Sequence, residues 1–228
     1  FPLGNIHIGA AMQFSLIVPT IHRVQETERL FQSLLIQEYK DFEVILVDQN
    51  PDDRLADLVN VYKQHFPIFR LRETKLGLSH ARNVALPHVK GDIIGLPDDD
   101  CIYLKETLSK VNHFFSYQPQ WDGLVGRIYD LEEDAYAFGD CGDAQSQKID
   151  HITAYKVCAS SAIFFKASIG EKISFDESLG VGANTLWCAG EETDFVFQCL
   201  DAGYQFYFDE NLIIRHPNPR KNNPFFRQ

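Results

Sequence analysis

The segment Gly91-Asp92-Ile93-Ile94-Gly95-Leu96-Pro97-Asp98-Asp99-Asp100 decides how this chain is read. Asp92 to Leu96 reads as a strand, and its Ile-Ile-Gly-Leu run has the apolar character of a strand buried on both faces. It leads without a linker into Pro97 and three adjacent carboxylates. Neighbouring aspartates repel one another, so they need full solvation or a counter-charge. In isolation they would read as a solvated acidic turn. Directly after a buried strand, a divalent cation bridging a diphosphate is the natural counter-charge, because hard cations prefer carboxylate and phosphate oxygens. Alternate residues of an extended segment point the same way, so Asp98 and Asp100 are expected to face one ligand while Asp99 points elsewhere.

Upstream, strand-like runs alternate with helical periodicity, the mark of a parallel sheet with crossover helices. Phe14-Ser-Leu-Ile-Val18 is an apolar run ending in Pro19-Thr20, and Phe42 to Val47 is a second, closed by Asp48. Leu30, Phe31, Leu34 and Leu35 recur at helical spacing between them. Leu55, Leu58, Val59 and Tyr62 mark the next helix, Ile68 to Arg72 a third strand, and Ala81, Ala85 and Leu86 a helix ending near Pro87. After Asp100, Leu104, Leu108, Val111 and Phe115 give another amphipathic helix. Every notable polar cluster therefore sits at the carboxyl end of a strand, where open α/β sheets hold their ligands.

After about Trp121 the rhythm changes. Gly123 to Ile128 and Thr153 to Phe165 read as strands, while Leu131 to Asp150 is acidic and without period. A helix resumes from Glu192 through Val196, Cys199 and Leu200 to a stop at Gly203. Gln205 to Phe208 and Leu212 to Arg215 read as short strands. The expected organisation is a single α/β domain with a mostly parallel central sheet over residues 12–216. A nucleotide-binding βαβ half (12–120) precedes a mixed acceptor half (121–216). Residues 1–11 read as an expression-tag remnant and 217–228 as a basic, Pro-containing tail.

The net charge of −11 argues against a nucleic-acid partner, which is usually held by a basic face. It permits a single nucleotide whose phosphates are neutralised by a divalent ion. Five cysteines without CxxC spacing read as thiols of a reducing compartment, and no apolar run reaches the roughly 20 residues of a membrane helix. A cytoplasmic protein is expected.

In order and spacing, several segments resemble the inverting family-2 glycosyltransferases of the GT-A fold. Gly91 to Asp100 is similar to their strand-end D-x-D motif, with Asp98 and Asp100 at the two D positions. Phe14 to Thr20 and Phe42 to Asp48 resemble the first two strands, Leu76-Gly-Leu-Ser-His-Ala-Arg82-Asn83 the Gly-x-x-x-Ala-Arg-Asn segment, and Phe175-Asp-Glu177 the Phe-Asp-Glu. Two departures stand out. Val-Asp48-Gln49-Asn50-Pro51 replaces the usual Val-Asp-Asp-Gly-Ser, which puts base preference in doubt. Pro97 precedes the aspartates and should stiffen their loop.

The resemblance implies a Mn²⁺- or Mg²⁺-dependent enzyme that takes a nucleotide-sugar donor, a UDP-sugar being favoured. The acceptor would be a glycan or lipid-linked saccharide, reached by peripheral contact at the inner membrane face. It implies donor contacts from Pro19, Thr20, Asp48, Arg82, Asp98 and Asp99, and metal ligation by Asp98 and Asp100. Arg215-His216-Pro217 is similar to the region that brings a C-terminal histidine to the metal, although a lone histidine there also serves as a cap. Gly190-Glu191-Glu192-Thr193-Asp194 resembles the Glu-Asp motif of the acceptor-side helix. Glu192 is the expected base, with Glu191 and Asp194 as competitors and Glu191 the candidate for binding the acceptor. Acidic residues also favour a helix N-terminus for local reasons alone. Arg82 could meet phosphate or base, or pair with an aspartate of the fold. Trp187 could stack on an acceptor sugar or lie in the core.

A sugar nucleotidyltransferase is the rival enzyme class, but it would carry a Gly-rich loop where this chain has Pro-Thr-Ile-His-Arg. A haloacid-dehalogenase-like phosphatase would place its nucleophilic aspartate after the first strand. A catalytically silent nucleotide-sugar-binding domain predicts a broken acidic set.

Overall fold

The computed structural model describes residues 11–130, 134–136 and 144–217. The first ten residues of the expected tag remnant and residues 218–228 of the expected tail lie outside the described residues. So do 131–133 and 137–143 of the acidic segment, Cys141 included.

Ten strands of the described chain form one sheet. β1 (Phe14–Thr20), β2 (Phe42–Asp48), β3 (Ile68–Arg72) and β4 (Ile93–Gly95) are joined by α1 (Val24–Leu35), α2 (Ala56–Tyr62) and α3 (Leu78–Ala85). β5 (Ile102–Tyr103), α4 (Thr107–Tyr117), β6 (Gly123–Asp130), β7 (Ala135–Tyr136) and β8 (Gln147–Lys148) follow. The chain ends with α5 (His151–Val157), β9 (Ile163–Lys166), α6 (Ala167–Gly170), α7 (Glu191–Asp201) and β10 (Phe206–Arg215). The strand order is β3-β2-β1-β4-β9-β6-β10-β5. β3, β2, β1, β4, β6 and β10 run one way, while β9 and β5 run against them, so the sheet is mostly parallel.

The apolar strands read as two-sided, and they are. Phe14, Leu16 and Val18 of β1 join Phe42, Val44 and Leu46 of β2 in one core layer, against Leu30, Phe31 and Leu34 of α1 and Leu108, Val111 and Phe115 of α4. Ile17, Ile45 and Val47 point to the opposite layer with Ala81 and Ala85 of α3 and Phe195, Val196 and Cys199 of α7. The period-2 alternation of each strand thus feeds two cores within one three-layer domain. Burial of each large side chain stabilises by roughly 1.5–3 kcal/mol. Gly91 lies where β4 begins, and an added Cβ would fall 2.6 Å from the Gln13 carbonyl oxygen, so close backbone approach explains this glycine.

Two sequence expectations fail in the second half. Thr153 to Phe165 is not one strand. Asp150 caps α5 by accepting from the Thr153 N–H at 2.7 Å, and Ala154 and Val157 pack inward at helical spacing. Only Ile163–Lys166 is extended there. Gln205 to Phe208 and Leu212 to Arg215 belong to one strand, β10, whose register against β6 shifts between Phe208 and Ile213. The polar Asp209-Glu210-Asn211 that looked like a break occupies this irregularity.

Candidate active site

β1 lies between β2 and β4, so the strand order reverses beside it and leaves a crevice at the carboxyl ends. A cavity of about 330 Å³ opens there, the size of a small-molecule site. Its wall includes Pro19, Thr20, Ile21 and Arg23 around the end of β1, Gln49 after β2, and Asp98, Asp99 and Asp100 after β4. Ser160 and Ser161, Cys188 to Glu192, and His216 also line it.

The aspartates form a turn rather than an extended segment, since β4 ends at Gly95 and the Cys101 N–H donates to the Asp98 carbonyl at 3.1 Å. Asp98 accepts from Ser161 Oγ at 2.7 Å, Ser160 Oγ at 3.0 Å and Arg82 Nη2 at 3.3 Å. Burial alone would raise its pKa, but the His216 contact, the Arg82 charge and the Ser161 hydroxyl hold it well below the usual carboxylate range. Asp99 turns toward Arg23, whose Nη1 donates at 3.0 Å, and toward Thr20. Burial dominates there and pushes the Asp99 carboxyl up to about 7 against the Arg23 charge. Asp100 accepts from the same Arg23 nitrogen at 2.5 Å. Burial raises its pKa too, but His216 and then Arg23 leave it lowered. Asp98 and Asp100 therefore do face one point, while Asp99 is tied to Asp100 through Arg23.

That point is His216. Its backbone N–H donates to the Tyr129 carbonyl at 3.1 Å, continuing the β10–β6 pairing. Nδ1 lies 2.6 Å from the Pro217 carbonyl oxygen, which can only accept, so Nδ1 carries a proton and Nε2 is the nitrogen turned to the carboxylates. Nε2 stands 2.9 Å from Asp100 Oδ1 and 3.5 Å from Asp98 Oδ2. Burial would lower the imidazole pKa, but the Asp100 and Asp98 carboxylates raise it to about 10.

These residues suit a divalent ion. Asp100 Oδ1 is buried and makes no hydrogen bond of acceptable geometry, despite the nearby imidazole. Carboxylate oxygens and one imidazole nitrogen on a common point match the donors such an ion takes. They do not form a finished coordination shell: among the described residues no three such side chains have metal-ligand geometry.

The second acidic cluster opens α7. Gly190 precedes it with φ +90°, a left-handed conformation that turns the chain into the helix and suits glycine. Glu191 is buried, and its Oε1 lies 3.3 Å from Arg82 Nη1. Arg82 is fully buried and holds Glu191 with one nitrogen and Asp98 with the other, its guanidinium 5.3 Å from the Phe175 ring centroid. It is not part of the cavity wall, so of its two expected uses the structure realises the internal ion pair. Glu192 does line the cavity. Desolvation first, and the Glu191 charge second, push its pKa well above the usual carboxylate range. Asp194 does not reach the wall; its carboxylate accepts from Gln198 Nε2 at 2.7 Å, one turn along the helix. Trp187 is 68% exposed and so not a core residue.

Of the expected nucleotide residues, Pro19, Thr20, Asp98 and Asp99 line the cavity, whereas Asp48 is fully buried behind it. Asp48 Oδ2 accepts from Arg70 at 2.8 and 2.5 Å, and Oδ1 from the Asn50 backbone and side chain at 2.9 and 2.7 Å. Sequence reasoning missed Arg23, Gln49, Ser160 and Ser161. The signal for Arg23 was a basic residue in the loop that already held Thr20; for the serines there was none, because they lie 62 and 63 residues downstream of Asp98.

Residues 15–165, well over half of the chain, match the description "Glycosyl transferase family 2". The chain belongs to glycosyl transferase family 2. Its curated relatives include an uncharacterised glycosyltransferase of Methanocaldococcus jannaschii, 25% identical over 84% of this chain and 66% of the relative. Another is the GalNAc(5)-diNAcBac-PP-undecaprenol beta-1,3-glucosyltransferase of Campylobacter jejuni, 28% identical over 77% of this chain and 58% of the relative. This family 2 chain thus spans less than two thirds of their length. Among solved structures, Staphylococcus aureus TarS 1-349 in complex with UDP superposes with a TM-score of 0.75 at 20% identity, over 92% of this chain and 62% of that one. The Pyrobaculum calidifontis mannosyltransferase PcManGT, in complex with GDP-Man and Mn²⁺, gives 0.68 at 17%, over 91% and 57%. These likenesses establish the GT-A fold.

Proposed function

We propose that this family 2 chain is a metal-dependent, inverting glycosyltransferase. It would transfer a sugar from a UDP-sugar to a hydroxyl of a glycan or lipid-linked saccharide. The observation that carries this reading is one cavity lined by the cluster of Asp98, Asp100 and His216 together with Glu192. Membership in family 2 supports it, as do the UDP bound by TarS and the undecaprenol-linked acceptor in the Campylobacter relative's name.

A divalent ion held by Asp98, Asp100 and His216 would supply positive charge to the donor diphosphate. Thr20 and Pro19, which line the cavity, would meet the nucleotide, and the Arg23 cation beside Asp99 and Asp100 would face the diphosphate. Arg82 holds both Asp98 and Glu191, which would keep the metal-binding residues and the start of α7 at one spacing. Glu192 is the base. Inversion requires an acceptor hydroxyl to attack the anomeric carbon opposite the leaving diphosphate, and a carboxylate of raised pKa is better matched to that proton at neutral pH. Glu191 is committed to Arg82, which leaves it to orient the acceptor side rather than to carry the proton.

Calorimetric titration of UDP, GDP, CDP and dTDP, each with Mn²⁺ and again with EDTA, tests this. Binding of UDP that requires Mn²⁺ is expected. Equal binding in EDTA, or no binding of any of the four to folded protein, would refute it.

A further inference from the structure

We infer that Arg23 is a built-in counter-cation of the metal site, which opposes a divalent ion arriving alone and so makes the ion and the nucleoside diphosphate bind as a pair. The inference rests on the metal-dependent donor reading above and adds the group that couples the two ligands.

Arg23 stands in the loop between β1 and α1, and its backbone is pinned on both sides. His22 before it has φ +62°, a left-handed conformation that a non-glycine residue adopts at a cost, and its N–H donates to Asn50 Oδ1 at 2.6 Å. The Arg23 carbonyl accepts from Thr27 Oγ1 at 2.5 Å, and that hydroxyl lies 3.2 Å from Thr20 Oγ1. Asn50 belongs to the stretch after Asp48 in which the chain departs from the family pattern. A strained residue and a neighbouring side-chain amide thus fix where the Arg23 side chain leaves the backbone. Its guanidinium is directed at the aspartate turn. Nη1 alone reaches two carboxylates, Asp99 Oδ1 at 3.0 Å and Asp100 Oδ2 at 2.5 Å.

Arg23 takes Oδ2 of Asp100, whereas His216 stands against Oδ1. It therefore leaves free the oxygen on which an ion would sit, and sets a positive charge on the other oxygen of the same carboxylate. An ion there would have a guanidinium one carboxylate away, and the repulsion between the two cations weakens binding of the ion by itself. The Arg23 side chain is half-exposed and lines the cavity. Among the described residues it donates only through Nη1, which leaves Nε and Nη2 to a phosphate. A diphosphate brings negative charge to both cations at once, ligating the ion and accepting from the remaining guanidinium nitrogens. Each ligand then raises the affinity of the other by one common factor. Arg82, fully buried between Asp98 and Glu191 and off the cavity wall, cannot respond to a ligand in this way.

The test is calorimetric titration of Mn²⁺ into the intact chain, without and with saturating UDP, and the readout is the factor by which UDP tightens Mn²⁺. Arg23→Met removes the charge. It is expected to bind Mn²⁺ alone roughly tenfold more tightly than the parental chain and to shrink the UDP factor by a similar amount, within the usual range of coupling between two sites. Arg23→Lys, which keeps the charge, is expected to stay within a few-fold of the parental factor. If Arg23→Met fails to fold, Arg23→Gln, which keeps an N–H donor for the aspartates without the charge, makes the same comparison. Mn²⁺ alone bound no more tightly by the uncharged variant than by the parental chain, or an unchanged UDP factor, overturns the role of Arg23 while leaving the metal and nucleotide site. Absence of Mn²⁺-dependent UDP binding by the parental chain overturns the donor reading itself.

Discussion

His216 Nε2 stands 2.9 Å from Asp100 Oδ1, yet the two make no well-aligned hydrogen bond. They arrive from strands β10 and β4, 116 positions apart in sequence, and only the sheet order brings them together. An imidazole nitrogen and a carboxylate oxygen held side by side are the donor types a shared cation would take.

Asp100→Asn and His216→Ala should each weaken Mn²⁺-dependent binding of UDP, measured by calorimetry. The aspartate variant is expected to lose it and the histidine variant to lose at least about tenfold. Full retention of Mn²⁺-dependent affinity in Asp100→Asn would remove that residue from the metal set.

Glu192→Gln should leave donor binding unchanged while lowering transfer by about 10²–10⁴-fold, the range for loss of a positioned general base. Asp194→Asn should transfer sugar at close to the parental rate, because its carboxylate is turned to Gln198. Reversal of the two results would make Asp194 the base.

The pH dependence follows from the burial of Glu192. A base must be deprotonated to act, and desolvation followed by the Glu191 charge raises its pKa. Activity should therefore fall on acidification at a pH well above the value of about 4.3 for an ordinary glutamate. Glu191→Gln removes the neighbouring charge and should move that limb to lower pH. A kcat/KM profile flat down to pH 5 would exclude Glu192.

Arg82→Met should destabilise the fold by about 3–5 kcal/mol, because it leaves Asp98 and Glu191 as buried carboxylates without their shared cation. In a domain of this size the melting temperature should drop by on the order of 10 °C. A drop of only a degree or two, by calorimetry, would mean that water replaces the guanidinium at no cost.

The sequence alone determined the first half of the fold. Strands buried on both faces need continuous apolar runs, so β1 and β2 were legible almost to the residue, and the edge strand β3 was legible at Ile68 to Arg72 as well. The aspartates after β4 and the acids at the start of α7 were legible too, because adjacent carboxylates at the end of a buried strand or the start of a helix stand out in the sequence. What the sequence misjudged was local: a helix capped by Asp150 resembled a strand, and an irregular strand around Asp209 resembled two.

Tertiary structure decided which side chain faces the cavity and which is spent inside the fold. Asp48 and Gln49 are neighbours, but Arg70, 22 positions beyond Asp48, takes the one and leaves the other to the cavity. Arg82 could have reached a phosphate until the approach of α7 buried it between Asp98 and Glu191. Adjacent residues differ in direction by the geometry of the backbone, and a charge pairs with whatever opposite charge the fold delivers. Periodicity records which residues are buried; it carries no record of the partners that distant strands supply.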